Sequence, residues 1–300
     1  MPKDNSYTAD LSKVNDTDYT KVNAAIIGGT GGLGQAISLY LASKGARVTV
    51  VGRTFRDQDK EGISFVPADL TLMTKAQEVA KELPAESLTH LIFTAGIFAN
   101  RHREETDEGI ERDMAVSYLN RLVLLREIAP RLGKNLPESS PKPRVFIMGY
   151  PGKDNIGTIE DQNFEKSYSA ISTHLTTVAG NEILVADGEK RYPNLNIFGL
   201  NPGLIKTNIR NNYLGEDSFF STVVEFIIGW TSKSPETYAK KISPLLVSED
   251  LENRSGGLFD NNANTILASK GLNEEYNKKF LTSSEETLTK SGFTFSSKGK

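Results

Sequence analysis

Short apolar runs alternate with longer helical segments along most of the chain. The apolar runs are bounded by glycine, proline or polar residues, which predicts strands at Ala24–Ile27, Val48–Val51, Ile63–Val66, Leu88–Phe93, Val145–Met148, Asn196–Leu200 and Gly257–Phe259. The segments between them predict helices over Gln35–Lys44, Thr74–Glu82, Asp107–Arg131, Tyr168–Lys190 and Pro235–Val247. This alternation is typical of an α/β fold with one mainly parallel, doubly wound sheet and helices on both faces.

Two of the predicted helices begin with recognisable local signals. Thr74 precedes Gln77 by three residues, which is the spacing of a capping box. Ser234 precedes Pro235, the usual order of an N-cap and the first helical residue. We therefore predict that Thr74 and Ser234 each mark a helix start.

The pattern predicts one domain, over residues 22–282, with a flexible leader at 1–21 and a weakly ordered tail at 283–300. Only residues 204–233 break the alternation. Apolar side chains recur there at roughly helical spacing, at Phe219, Phe220, Phe226, Ile227 and Trp230. We predict that this segment is a lid over the substrate that excludes water; a subunit contact and plain core packing are the alternatives.

Composition excludes several classes of function. Lys and Arg number 35 against 38 Asp and Glu, a net charge of −3, so no basic excess indicates nucleic-acid binding. With no cysteine and three dispersed histidines, we predict no metal site. The N-terminus lacks the apolar core of a secretory signal, and the longest apolar run, Phe219–Trp230, is too short to span a membrane. We expect a cytoplasmic protein with no membrane partner.

The strongest local signal is a glycine-rich loop between the first strand and the first helix. Its glycines follow the spacing G-x-x-x-G-x-G. A dinucleotide's diphosphate binds backbone N–H groups at a helix N-terminus where no β-carbon intervenes. An ordinary glycine-rich turn is the alternative, but the position in a strand–helix–strand unit favours a Rossmann-type domain that binds NAD(P). The predicted cofactor contacts here are Gly28, Thr30, Gly31, Gly32, Leu33 and Gly34.

The second strand ends in Gly52-Arg53, where a site selective for NAD usually has Asp or Glu. The guanidinium of Arg53, helped by Arg56, has the geometry to pair with a 2′-phosphate. This position favours NADPH over NADH as the cofactor. A solvated surface arginine is the alternative.

Together with later motifs, this loop resembles the short-chain dehydrogenase/reductase family over nearly the whole chain. The further matches, in family order, are Ala68-Asp69-Leu70, Thr94-Ala95-Gly96, Tyr168, and Pro202-Gly203 followed by Thr207. The resemblance implies that Asp69 accepts a hydrogen bond from the adenine and that the Thr94 turn lies under the adenine ribose. It implies that the segment containing Pro202, Gly203, Leu204, Ile205 and Thr207 holds the nicotinamide carboxamide.

The catalytic positions implied by the resemblance depart from the family pattern. The family has a tyrosine that donates a proton, a lysine one helical turn later, a serine after the fifth strand and an asparagine in the preceding long helix. Here Tyr168 matches the tyrosine, whereas Ser172 stands at the lysine position and Ser117 at the asparagine position. The serine position falls at Gly149-Tyr150.

Two functions remain open on this evidence. In the first, the protein is a reductase in which Tyr168 is the proton donor, Tyr150 or a nearby hydroxyl replaces the serine, and Ser172 keeps a ribose hydrogen bond. In the second, it is an inactive NAD(P)-binding sensor or scaffold of the same fold. His174 lies six residues after Tyr168, about 240° around a helix, so we predict packing for it. A substitute acid or base is the alternative, if the helix begins late or is distorted.

The substrate class comes from a narrower resemblance. Residues 51–57, 112–119 and 200–208 are similar to a fungal branch regarded as NAD(P)H-dependent aldehyde reductases. This resemblance implies a small-molecule aldehyde substrate. A ketone or steroid reductase is the alternative, since it would share these features and differ only in the lid pocket. Subunits of the family commonly pair through the two long helices, here Asp107–Arg131 and Tyr168–Lys190, so a homodimer is one arrangement that the resemblance implies.

Overall fold

The computed structural model describes residues 2–11, 18–57, 59–203 and 234–296. Its strands are β1 (Asn23–Ile27), β2 (Arg47–Gly52), β3 (Ile63–Pro67), β4 (His90–Phe93), β5 (Arg144–Met148), β6 (Asn196–Leu200), β7 (Leu258–Phe259) and β8 (Thr265–Ile266). Its longer helices are α1 (Gly32–Ser43), α2 (Met73–Glu82), α3 (residues 112–128), α4 (Ala170–Arg191), α5 (Pro235–Val247) and α6 (Glu274–Lys290). The predicted lid, 204–233, lies outside the described residues.

All eight strands form one sheet, in the order β3-β2-β1-β4-β5-β6-β7-β8. Neighbouring strands run parallel except β7 and β8, which pair antiparallel at the edge. The strand order reverses between β1 and β4, and a crevice opens at the carboxyl ends of strands at such a point. The predicted α/β fold with a doubly wound sheet is confirmed.

Helices cover both faces of the sheet. On one face α1 and α5 pack together, and the core there includes Ile37, Phe146, Phe198 and Tyr238. On the other face α2, α3, α4 and α6 enclose a larger core. The central strands β1, β4, β5 and β6 are almost fully buried, because side chains on both faces meet helices. This explains why they are continuous apolar runs.

The starts of α2 and α4 differ from the prediction. The capping box at Thr74 does not form: α2 begins at Met73, and the Glu108 carboxylate accepts hydrogen bonds from the backbone N–H of Met73 (2.5 Å) and of Thr74 (3.0 Å). Helix α4 begins at Ala170, with Ser169 as its N-cap, so Tyr168 precedes the helix instead of opening it. The Ser234 N-cap is present as predicted.

Helix α3 begins later than predicted and is irregular. It starts at Arg112, passes through a π-helical stretch at Ala115–Leu119 and continues as α-helix over Asn120–Ile128. The preceding charged segment, predicted to be helical from Asp107, is a loop. Single π-turns often lie at functional sites, and this one contains Ser117.

Within the described residues, both chain ends contact the rest of the molecule. In the predicted leader, Asp4 N–H donates to Thr265 O and Tyr7 hydroxyl donates to Asp250 O. In the predicted tail, α6 runs to Lys290 and buries Leu288, and Phe293 beyond it is also buried. Tyr7 and Leu11 in the predicted leader are partly buried against the core.

Helix α6 contacts both of the helices through which subunits of the family commonly pair. It packs on α4, its Ser284 hydroxyl is hydrogen-bonded to Tyr118 on α3 at 2.9 Å, and its Phe280 ring meets that of Tyr118 edge-on. The middle of α4 and most of α3 are consequently buried within one chain. The pairing of two subunits through these helices stays a prediction. No helix within the described ranges is long and apolar enough to cross a membrane.

Candidate functional site

The glycine loop lies at the reversal of strand order, with its backbone pressed against the end of β4. Gly28 has φ +87°, and a β-carbon there would overlap the backbone of Ala95. A β-carbon on Gly34 would overlap the Thr94 hydroxyl. These two positions therefore require glycine for packing alone, which brings the N-terminus of α1 directly beside the strand ends.

The N-terminus of α1 is open at the same place. Its N-cap is Gly31, which makes no side-chain capping bond, and a β-carbon on Gly31 would meet nothing within 4 Å. The first-turn N–H groups of a helix have no intrahelical acceptor and carry partial positive charge. Thr30 and Leu33 are partly buried beside them, whereas Gly32 is exposed. This arrangement fits the diphosphate of a dinucleotide.

The ends of β2, β3 and β4 surround this helix terminus. Arg53 is exposed directly after β2, and Asp69 is exposed two residues after β3. The Asp69 carboxylate accepts hydrogen bonds from the backbone N–H (3.0 Å) and hydroxyl (2.8 Å) of Thr71, which orients it. Leu70 is buried behind it. These positions agree with recognition of a ribose and a base along the adenosine half of a dinucleotide.

The turns after β4 and β6 complete the crevice. Thr94 N–H and Ala95 N–H both donate to Ile27 O, at 2.8 and 2.9 Å, and Gly96 follows them. After β6, Pro202 and Gly203 are partly buried, and Gly203 has φ +70°. Leu204, Ile205 and Thr207 lie outside the described residues. Every described residue predicted to contact a cofactor therefore lies at the carboxyl edge of the sheet or at the adjoining start of α1.

Tyr168 lies against the loop that follows β4. Its hydroxyl donates to Asn100 O at 2.5 Å. Burial and the carboxylates of Glu111, Asp113 and Glu104 raise the pKa of Tyr168 to about 12. The phenol is therefore protonated at neutral pH.

The other predicted catalytic residues are not gathered around Tyr168. Tyr150 follows β5, with the Lys153 ammonium 5.1 Å from the centroid of its ring. Ser172 faces a cavity of about 410 Å³ on the outer side of α4, which it lines together with Thr158, Asp161 and Thr176. Ser117, on α3, lies on the opposite side of α4 and contacts the loop after β4. Of the four predicted catalytic residues, only Ser117 and Tyr168 contact the same loop, which is the one after β4.

Ser117 belongs to a hydrogen-bonded chain that connects the loop after β4 to α4. Its hydroxyl donates to a carboxylate oxygen of Asp113 at 2.5 Å and accepts from Ile97 N–H at 2.9 Å. The other Asp113 oxygen lies 2.9 Å from His174 Nδ1. With Asp113 as the acceptor of this bond, Nδ1 carries the hydrogen. Asp113 is fully buried, whereas the His174 side chain is 24% exposed.

A buried arginine stands one helical turn below Ser117. The Arg121 guanidinium donates to Ala95 O at the end of β4, to Met148 O at the end of β5, and to Asn181 Oδ1 at 2.8 Å. Burial lowers the pKa of Arg121 to about 9, and the charge of Asp113 opposes that shift. Arg121 is therefore cationic at neutral pH and joins two strand ends beneath the crevice.

Comparison with known proteins identifies this arrangement. The family model described as short chain dehydrogenase matches residues 22–136. An uncharacterized oxidoreductase of Saccharomyces cerevisiae is 51% identical over 292 residues, which are 96% of this chain and 94% of the relative. The chain belongs to the short-chain dehydrogenase/reductase family. Members of that family are oxidoreductases.

Solved structures of the family share the fold at low sequence identity. A short-chain dehydrogenase/reductase from Serratia marcescens superposes with a TM-score of 0.59 at 16% identity, covering 81% of this chain and 97% of its own. An NADH-dependent reductase crystallised with NAD superposes with a TM-score of 0.57 at 16% identity, covering 82% and 98%. At this identity the comparison shows the fold.

The buried polar network of Asp113, His174 and Arg121 was not predicted from the sequence. Sequence analysis missed Asp113 and Arg121 and assigned His174 to packing. Asp113 was detectable, since it precedes Ser117 by four residues and shares its helix face. Its partner His174 is 61 residues away on another helix, so no local signal indicated the pair. Among the described residues, no group of three or more acidic or histidine side chains could hold a metal ion.

Proposed function

We propose that this chain is an NAD(P)H-dependent reductase that converts aldehydes to alcohols. The observation that carries the proposal is the glycine-lined, uncapped N-terminus of α1 at the reversal of strand order. Backbone N–H groups at that position can bind a diphosphate because no side chain blocks its approach. The aldehyde class is supported by the likeness of residues 51–57, 112–119 and 200–208 to fungal aldehyde reductases.

A bound nicotinamide cofactor supplies a hydride to the carbonyl carbon. Residues of this chain would hold it by the contacts described above, with Arg53 placed for a 2′-phosphate and Asp69 for the adenine. The fold neighbour crystallised with NAD supports a nicotinamide cofactor. Arg53 favours NADPH within that class, because no carboxylate occupies its position.

Tyr168 is the proposed proton donor to the carbonyl oxygen. A donor must carry its proton at working pH, and the pKa of about 12 satisfies that condition. The same high pKa disfavours the phenolate that alcohol oxidation requires as a base. We therefore expect carbonyl reduction to be favoured over the reverse reaction.

An inactive nucleotide sensor is the second proposal. It is supported by Ser172, which stands at the lysine position and faces away from Ser117 toward the outer cavity. A protein of that kind would keep the glycine loop and bind NAD(P)H without turnover.

The experiment that separates these proposals pairs two measurements on the purified protein. NADH and NADPH oxidation is followed at 340 nm (on the order of 0.1 mM cofactor, near common KM values) with a panel of aldehydes, and cofactor binding is measured by fluorescence titration. Turnover with any aldehyde supports the reductase. Binding without turnover supports the sensor, and absence of binding contradicts both.

Tyr168→Phe tests the proton donor. We expect kcat to fall by about 100-fold or more, the usual effect of removing a general acid, with cofactor affinity unchanged. The matched control is Tyr276→Phe, because Tyr276 also donates from its hydroxyl to a backbone carbonyl, Ile156 O at 3.0 Å. Equal activity of both variants and the wild type would refute the assigned role.

Arg53→Ala tests the cofactor preference. Loss of a charge-assisted bond to the 2′-phosphate is expected to raise the KM for NADPH by roughly tenfold or more and to leave that for NADH unchanged. Arg47→Ala is the control, since Arg47 is exposed at the opposite end of the same strand. A parallel change in both cofactors would show that Arg53 does not read the phosphate.

A further inference from the structure

We propose that the Asp113–His174 pair returns a proton to Tyr168 after each reduction, in place of the lysine that the family has one turn after its tyrosine. This inference rests on the proposed function, because it concerns the same proton. Cofactor binding by the glycine loop and proton donation by Tyr168 give no role to the network of Ser117, Asp113 and His174, and the relay gives it one.

The pair has the geometry of an oriented imidazole. Asp113 is held on both oxygens, by Ser117 at 2.5 Å and by His174 Nδ1 at 2.9 Å. The Phe98 ring lies against the imidazole, with centroids 4.2 Å apart. With Nδ1 committed to the carboxylate, Nε2 is the nitrogen left to exchange a proton, and the partial exposure of His174 gives it access to solvent.

His174 and Tyr168 contact the same short stretch of chain. His174 packs on Phe98, and the Tyr168 hydroxyl binds Asn100 O. Asp113, which binds His174, is also one of the carboxylates whose charge raises the pKa of Tyr168. In the proposed relay, water connects the imidazole to the phenol. Ser172 cannot serve instead, because it lies about 200° around α4 from His174 and lines the outer cavity.

The surroundings of Tyr168 create the need for a second proton source. Burial and three carboxylates hold the pKa of Tyr168 far above neutral, so a phenolate formed by proton donation is unstable there. In a family member with the lysine, a cation stands beside that oxygen. In this chain position 172 is serine, and in this proposal His174, oriented by Asp113, supplies the proton instead.

The proton steps balance as follows. The hydroxyl proton of Tyr168 goes to the carbonyl oxygen of the aldehyde as its carbon accepts the hydride. The Tyr168 phenolate then takes the Nε2 proton of the His174 imidazolium, through water, which leaves a neutral imidazole with Nδ1–H on Asp113. Nε2 takes a proton from solvent, so one proton is consumed for each aldehyde reduced.

Other charged groups surround the pair and enter the design of the test. Glu111, at the start of α3, is buried and has its pKa raised to about 7 by burial and by Asp113. Arg121 lies beneath Asp113, and Arg103 adjoins Tyr168. A pH profile alone would mix these ionisations, so the decisive measurement compares first and later turnovers at one pH.

The test uses His174→Ala in the full chain with NADPH and a substrate aldehyde. With protein in excess over NADPH, the first turnover uses the proton already on Tyr168, and its rate is expected to stay within about twofold of the wild type. Steady-state kcat is expected to fall at least tenfold, because acid–base groups commonly contribute 100-fold or more. Added imidazole should restore much of the loss. His102→Ala, at an exposed histidine in the loop before α3, should change neither rate nor respond to imidazole.

A second measurement does not depend on turnover. In the cofactor-free protein, ¹⁵N NMR of the imidazole should show a protonated Nδ1 for His174, and Asp113→Asn should abolish that preference. His174→Gln, with thermal unfolding as a check on folding, repeats the kinetic test without a cavity.

The outcomes are distinct. Equal loss of the first and later turnovers, or no loss of either, overturns the relay while leaving aldehyde reduction in place. Failure of the imidazole to restore turnover, in a variant that unfolds like the wild type, also overturns it. If the wild-type protein binds NADPH but reduces no aldehyde, the proposed function fails, and the relay fails with it.

Discussion

Gly28 and Gly31 lie three residues apart in one loop but meet different surroundings. Gly28 has a positive φ and touches the Ala95 backbone, whereas Gly31 is extended and faces open space. The same substitution therefore acts on folding at one position and on ligand binding at the other. Sequence spacing alone does not separate these two roles.

We predict that Gly28→Ala is destabilised by several kcal/mol, since it combines a left-handed backbone with overlap in the core. Gly31→Val should unfold at the wild-type temperature but bind NAD(P)H at least tenfold more weakly, because its side chain enters the space at the start of α1. Chemical denaturation and fluorescence titration measure the two effects. Wild-type cofactor affinity in Gly31→Val would remove the main support for the cofactor site.

Glu111 makes stability depend on pH in a direction unusual for a carboxylate. Burial, and after it the charge of Asp113, raises its pKa from 4.5 to about 7. Between these values the folded state binds the extra proton, so stability falls as pH rises through this window.

The expected size for Glu111 is about 3 kcal/mol of lost unfolding free energy between pH 4.5 and pH 8. Glu111→Gln keeps an oxygen for the Met114 N–H but does not titrate. Relative to the wild type, its unfolding free energy should therefore rise by up to that amount across the window. Urea unfolding at several pH values measures the difference. Glu138→Gln, at an exposed position, should run parallel to the wild type.

At the scale of elements, the seven predicted strands lie within one or two residues of β1 to β7, whereas β8 was not predicted. Runs such as Val145–Met148 and Ile63–Val66 are short, apolar and bounded by turns, which is a local property. Helix starts were predicted less well, because their caps come from elsewhere. For α2, the capping group is the carboxylate of Glu108, 35 residues after Met73.

Glu108→Ala should therefore destabilise the protein by about 1–2 kcal/mol, the cost of losing a helix N-cap, through the start of α2. Amide hydrogen exchange in the first turn of α2 should accelerate, with little change at the end of the helix. Glu82→Ala, exposed at the other end of α2, serves as the control. Protection unchanged at Met73 and Thr74 would show that the Glu108 bonds contribute nothing.

At the scale of the whole molecule, α6 closes the face of the sheet that α3 and α4 cover. Its Ser284 hydroxyl and Phe280 ring reach Tyr118. On this packing we expect α6 to hinder pairing of a second copy of the chain through those helices. A contact within one chain carries no entropy cost of association, which favours it over a contact between two chains.

We expect the protein to sediment as a monomer at micromolar concentration, unless a surface other than α3 and α4 pairs. Leu288→Ala should cost about 3 kcal/mol, typical of a fully buried leucine, whereas Glu286→Ala, exposed on the same helix, should be neutral. Sedimentation velocity and urea unfolding measure these outcomes. A dimer that is lost on substitution of α3 side chains would contradict the assignment of α6 as an internal cover.

The fold class, the strand positions and the glycine loop follow from the sequence alone, because each depends on residues close together in the chain: apolar runs of strand length, and small residues where a backbone must approach a helix terminus. The Asp113–His174 pair, the buried guanidinium of Arg121, the cap on α2 and the cover by α6 were decided by tertiary structure. Each joins groups on separate elements, and which groups meet depends on how helices pack across the sheet, which no local pattern encodes.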